Sequence, residues 1–120
     1  MRALLATALF IVGCAAAREL RLDRDALVGT TWREVCLAPE IAEATIRLEP
    51  DGRLAWSYDT PDSLVVEDTH TWAVEDGALW VRWTNGRAVS RYRATPDPMR
   101  LDADSSSFCV DAMPWLERVR

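Results

Sequence analysis

Lysine is absent: all fourteen basic residues are arginine, set against nineteen acidic ones, for a net charge of −5. The missing lysine reports codon usage more than function. The acidic balance excludes a nucleic-acid binder, because a phosphate backbone would be repelled. Histidine occurs once, at His70. With one histidine and few cysteines, a zinc site of three or four ligands has no sequence support. Five glycines and six prolines in 120 residues are too few for a long disordered tract. There is no glycine-rich phosphate loop and no solenoid-length repeat. Asp102, Asp104 and Ser106 have the spacing of a calcium loop, but the sixth position is not glycine and Met113 stands where a bidentate glutamate would be needed. Ser105, Ser106 and Ser107 show no nucleophile-elbow pattern. No cofactor is implied.

The only long apolar run is Ala3 to Val12, interrupted by Thr7 and preceded by Arg2. It is too short to span a bilayer as a helix and fits the h-region of a signal peptide. Ile11-Val12-Gly13-Cys14 follows. This stretch resembles the lipobox of bacterial lipoproteins at all four positions. The resemblance implies a diacylglycerol thioether on Cys14, cleavage after Gly13 and acylation of the new amino terminus. Two or more chains anchor a protein stably where one does so marginally. The partner so implied is a membrane, engaged through the N-terminal lipid. Ala15 follows the cysteine; in a cell with two membranes, the lack of aspartate there resembles the outer-membrane default, on its periplasmic face. The rival reading is an ordinary secretory signal with an incidental cysteine.

The chain therefore divides into a signal peptide (1–13), a lipidated N-terminus and tether (14–26) and a single domain (27–120). Leu20 and Leu27 stand one heptad apart, so the tether has the alternative of a short helix. Beyond Cys14, Cys36 and Cys109 remain, an even pair in an oxidising compartment. A disulfide between them would close a loop of about 73 residues and stabilise by roughly 4 kcal/mol in the chain-entropy model. Two buried free thiols are the alternative.

The domain reads as an antiparallel all-β meander of seven or eight short strands. The first covers Gly29 to Cys36, the second Ala44 to Glu49 and the third Arg53 to Asp59. Pro50-Asp51-Gly52 joins the last two. A three-residue loop with Gly52 in a bulge pairs Leu48 with Leu54 and Ile46 with Trp56, keeping the apolar residues on one face. Thr60 to Asp68 reads as a loop with an apolar interruption at Leu64-Val65-Val66. Asp76-Gly77 and Asn85-Gly86 are both favoured pairs for two-residue type I′ turns. Counting outward from either turn gives one inner face: His70, Trp72, Val74, Leu79, Val81, Trp83, Ala88, Ser90 and Tyr92. Met99 to Ala103 is a further strand, Ser107 to Asp111 the last, and Met113 to Arg120 a short terminal segment. If the first and last strands carry bridged cysteines they must be neighbours, which favours a closed up-and-down barrel over an open sheet; a two-sheet sandwich is the alternative.

Leu27-Val28-Gly29-Thr30-Thr31-Trp32-Arg33-Glu34 resembles the entry to the first strand of a lipocalin, where glycine precedes a tryptophan. Here the spacing is Gly-x-x-Trp, one residue longer. The resemblance implies an up-and-down barrel with a ligand cavity at one end. It also implies a tryptophan, here Trp32, closing the other end beneath an arginine, for which Arg118 and Arg120 are the candidates.

Two groups of residues are candidates for function. Trp56, Tyr58, His70, Trp72, Trp83, Ser90 and Tyr92 would line the interior. They read either as a packed core, which an eight-stranded barrel just fills, or as an aromatic cavity for a small hydrophobic molecule. His70 reads as a mouth histidine bonded to a threonine or to Glu67 or Asp68 rather than as a catalytic base. Outside, Trp80, Arg82, Arg91 and Arg93 form a basic, aromatic stripe. It reads either as a solvated face with one cation–π pair or as a docking surface for an envelope protein. The leading expectation is a non-enzymatic, lipid-anchored envelope protein binding a small hydrophobic ligand. The alternative is a protein-interaction module, such as a periplasmic inhibitor or an assembly accessory.

Overall fold

The computed structural model describes residues 20–35, 44–105 and 113–120. Cys14, Cys36 and Cys109 lie outside the described residues, and so do the expected lipidation site and disulfide. Eight strands close into one antiparallel barrel in simple sequential order. They are β1 (Thr31–Val35), β2 (Ala44–Leu48), β3 (Arg53–Asp59), β4 (Leu64–Glu75), β5 (Ala78–Arg82), β6 (Ser90–Ala94), β7 (Arg100–Ser105) and β8 (Trp115–Val119). A single helical turn, α1 (Arg24–Leu27), precedes β1, with Asp23 as its N-cap.

The expected registers are present. Leu48 pairs with Leu54 and Ile46 with Trp56, and Gly52 takes a positive φ of 86° to complete the three-residue turn. Val74 pairs with Leu79 and Trp72 with Val81, while Leu79 pairs with Tyr92 and Val81 with Ser90. These registers put Leu48, Leu54, Ile46, Leu79 and Val81 inside, all of them fully buried.

Three expectations require correction. Leu64-Val65-Val66 is not a loop: β4 is twelve residues long and begins at Leu64. Its alternation is masked by a bulge, since Leu54 pairs with His70 but Trp56 with Glu67. One extra residue on β4 reverses the side-chain parity. Asn85-Gly86 is not a type I′ turn. That turn needs positive φ at both positions, and Gly86 has it (87°) while Asn85 does not. Instead the Asn85 side chain accepts from the Arg87 amide at 3.2 Å, and an irregular connection spans 83–89, leaving Ala88 exposed rather than inside. The strand expected over Ser107–Asp111 lies outside the described residues, and the segment expected only as a short C-terminal piece holds the last strand, Trp115–Val119. It pairs with β1 on one side and β7 on the other, closing the barrel through Val35↔Trp115 and Leu101↔Leu116.

The two ends of the barrel differ. At one end the turns are tight, and residues 20–30 fold across them. Leu22 donates its amide to the Gly77 carbonyl at 2.9 Å, and the Arg24 guanidinium lies 5.1 Å from the Trp72 ring centre. The Trp32 indole donates to Thr30 Oγ1 at 2.7 Å and is buried beneath this strap. Arg118 is its neighbour across the β1–β8 seam. A groove of about 290 Å³ runs between strap and barrel, lined by Leu22, Leu27, Trp32, Leu101 and Arg118 among others. The opposite end, here called the mouth, carries the connections 60–63 and 83–89.

Asp76 and Gly77 both have positive φ, 54° and 72°, as a type I′ turn requires. A β-carbon on Gly77 would stand 3.0 Å from the Arg21 side chain. Gly77→Ala is therefore expected to cost about 1–2 kcal/mol from backbone conformation alone, read as a lower midpoint in urea unfolding. No measurable change would mean that this turn relaxes freely and that the strap does not hold it.

Candidate functional site

The alternation of β1 places Trp32 and Glu34 on the same, inward side. Glu34 is a carboxylate inside the barrel, its side chain fully buried. Its Oε2 accepts from Arg87 Nη2 at 3.1 Å and from the Tyr92 hydroxyl at 3.1 Å. Its Oε1 is buried with no hydrogen-bond partner among the described residues. Arg87 reaches in from the 83–89 connection, only 10% of its side chain exposed. Its guanidinium carbon sits 3.8 Å from the Trp83 ring centre and 5.4 Å from that of Trp56.

The aromatic rings around this pair touch one another in sequence. Tyr58 and Trp56 are 4.8 Å apart between centres, and Trp56 and Trp83 5.9 Å in an edge-on arrangement. His70 meets Trp83 at 5.0 Å and Trp56 at 6.3 Å. The Trp83 indole donates to Ser90 Oγ at 2.9 Å. His70 is buried and engaged on both nitrogens. Its Nδ1 accepts the Thr84 amide at 3.0 Å, so its proton sits on Nε2, which donates to Glu67 Oε1 at 3.0 Å. The β4 bulge brings Glu67 to face His70, because it turns that carboxylate onto the side of Trp56.

Six of the seven expected interior residues thus come together at or below the mouth: Trp56, Tyr58, His70, Trp83, Ser90 and Tyr92. Trp72 does not. It lies at the strapped end, donating its indole to the Glu49 carbonyl at 2.9 Å. Glu34 and Arg87, the charged centre of the cluster, were not expected. The parity of Trp32 on β1 was the available signal for Glu34. Arg87 had none, because its connection is irregular.

The charges perturb their neighbour. Burial, and after it the Glu34 carboxylate, pushes the Tyr92 phenol well above its ordinary range, with Arg87 opposing. An unfolded phenol titrates near 10. Between that value and the raised native one, the folded state holds a proton that the unfolded state has lost. Stability contributed by Tyr92 is therefore complete below about pH 10 and declines as pH rises, by about 1.4 kcal/mol per unit. Tyr92→Phe should flatten that decline while costing roughly 1.5–3 kcal/mol at neutral pH through the lost hydrogen bond to a charged group. Urea unfolding of both proteins between pH 8 and 11.5 reads the difference; parallel curves would refute the linkage.

Part of the outer stripe is paired within the barrel. Arg91 lies 5.3 Å from the Trp80 ring centre. Arg91 and Arg93 both reach Asp104 Oδ2, at 3.5 and 3.2 Å. Asp104 is the extra residue of a second bulge, between Ala103 and Ser105 on β7. Arg82 is exposed next to this group. Two other exposed apolar residues, Leu64 and Val66, sit on the outer side of β4, with 62% and 57% of their surface open.

No protein-family model, curated protein or solved structure matches this chain.

Proposed function

We propose that this is a lipid-anchored protein of the bacterial cell envelope that binds a small ligand at the mouth of its barrel. The reading takes Cys14 as the lipidated residue and the membrane as the anchor. It takes Cys36 and Cys109 as a disulfide suited to an oxidising compartment. One observation carries the binding role: a ring of Trp56, Tyr58 and Trp83 surrounds the buried Glu34–Arg87–Tyr92 group at the end away from the strap. A barrel held by packing alone has no need of it, because buried ion pairs give little net stability over apolar side chains of similar size. Below this level the interior is filled by Ile46, Leu48, Leu54, Leu79, Val81 and Leu116 together with Trp32 and Trp72, so the ligand site is read as a shallow mouth rather than a deep hollow. The reading gives His70 a positioning role, its ring nitrogens bonded to Thr84 and Glu67.

Native mass spectrometry of the full-length protein, released from neutral detergent, tests the reading. A reproducible small adduct, lost on denaturation and absent from Trp83→Ala, is expected. A bare mass before and after exposure to an envelope extract would sink it.

The second reading, a protein-interaction module, is favoured by the exposure of Leu64 and Val66. It is less favoured at Trp80, where Arg91 and Arg93 are already drawn to Asp104 Oδ2. A pull-down lost in Leu64→Asp, Val66→Asp and unchanged in Trp80→Ala would support it.

A further inference from the structure

We infer that the barrel mouth is a cage for a small organic cation with a guanidinium head, and that Arg87 occupies the cage as an internal ligand. The inference rests on the small-ligand reading above and names the chemistry that site recognises.

The cage has three walls. The Trp83 ring faces the guanidinium at 3.8 Å and the Trp56 ring at 5.4 Å. The Glu34 carboxylate supplies the charge, one oxygen bonded to Arg87 at 3.1 Å and the other buried with no hydrogen-bond partner among the described residues. Aromatic faces with a buried carboxylate recognise planar or quaternary cations. A neutral molecule in the same place would leave Glu34 uncompensated in a buried position, which is costly, and an anion would be repelled by it.

Arg87 is placed to leave. It belongs to no strand, and the last β5–β6 pair beneath it is Val81↔Ser90. The root of its connection is fixed: the Thr84 amide donates to His70, and the Thr84 hydroxyl lies 2.7 Å from that of Thr69. Between Thr84 and Arg87 stands Gly86, with positive φ, and residues 84–86, 88 and 89 are exposed. Rotation about Gly86 therefore withdraws the side chain at the expense of the Asn85–Arg87 side-chain-to-amide bond and of none of the β5–β6 register pairs. An external cation must compete with this tethered one, so its apparent affinity is reduced by the fraction of time the cage is open. Lysine in place of Arg87 keeps the charge beside Glu34 but loses the planar, stacking head, and is the weaker competitor.

Calorimetric titration of the full-length protein with butylguanidinium and with its neutral near-isostere butylurea tests the inference. Wild type should take butylguanidinium weakly, and Arg87→Lys should take it at least about tenfold more tightly. Butylurea should bind at least about tenfold more weakly than butylguanidinium to both, and Glu34→Gln should abolish that preference. Arg87→Lys is the principal variant because it leaves Glu34 compensated; Arg87→Ala, where it folds, should show a larger gain. Equal binding of the two probes overturns the cation cage and leaves the small-ligand reading standing. The same holds if neither probe binds Arg87→Lys while a native adduct persists. Absence of both probes and of any adduct overturns both.

Discussion

Arg87→Ala is expected to lower the unfolding free energy by about 3–5 kcal/mol, the usual cost of removing one partner of a buried ion pair. The size of the effect comes from what is left behind. Glu34 has no exposed side-chain surface, and among the described residues its Oε2 would retain only the Tyr92 hydroxyl at 3.1 Å. Against a total stability of roughly 5–15 kcal/mol for a domain, the loss is severe but need not abolish folding. Glu34→Leu in the same chain removes the stranded charge and should recover most of it, so the two changes are expected to be strongly non-additive. Urea unfolding followed by tryptophan fluorescence measures the cycle. A loss below about 1 kcal/mol for Arg87→Ala, or simple additivity, would show that Glu34 is compensated by some other group. It would remove the electrostatic basis of the cage as well.

The barrel was legible where two independent signals agreed. Asp76-Gly77 and the alternation on either side of it name the same inner face, and a one-residue error would have put Trp72 and Val81 in solvent. The Pro50-Asp51-Gly52 turn was legible for the same reason. What failed were single-residue insertions. The bulge opposite Leu54 and Trp56 reverses the parity of β4, so Leu64-Val65-Val66 loses its phase relation to His70 and Trp72. The bulge on β7 does the same for Asp104. Neither has a compositional signature. The candidate site was half legible. Its rings lie on strands whose faces follow from turn counting, but its charges break the rule by which those faces are recognised. An inward glutamate reads as a mistake in the pattern, and an arginine entering from an irregular connection cannot be counted at all. Hydrophobic periodicity therefore finds the walls of such a site and misses its centre.

Removal of Trp115–Arg120 is expected to leave no folded barrel, although sequence pattern alone did not mark this segment as a strand. β8 presents only Leu116 to the core as a fully buried residue, and its remaining contacts are on the seam. Leu116 lies opposite Glu34 on β1 and Leu101 on β7, so it packs at the point where the sheet closes. On the outside, Arg33 bonds Glu117 across the seam, Trp115 donates to Glu117 at 3.1 Å, and Arg100 lies 4.7 Å from the Trp115 ring centre. Without β8, both β1 and β7 become unpaired edges, and Trp32 and Leu101 lose one wall. An edge of this kind is a template for aggregation. The truncated chain should show no cooperative urea transition and should associate at micromolar concentration. Leu116→Ala, which keeps the strand, should fold with a loss of about 2–5 kcal/mol, while Val119→Ala, half-exposed at the outer end, should stay within about 0.5 kcal/mol of wild type. A truncated protein that still unfolds cooperatively would mean that seven strands close without the eighth. A neutral Leu116→Ala would mean that the seam is held by its outer polar pairs rather than by the core. The graded series distinguishes these, because surface ion pairs alone are worth only about 0–1 kcal/mol each, too little to hold a barrel shut.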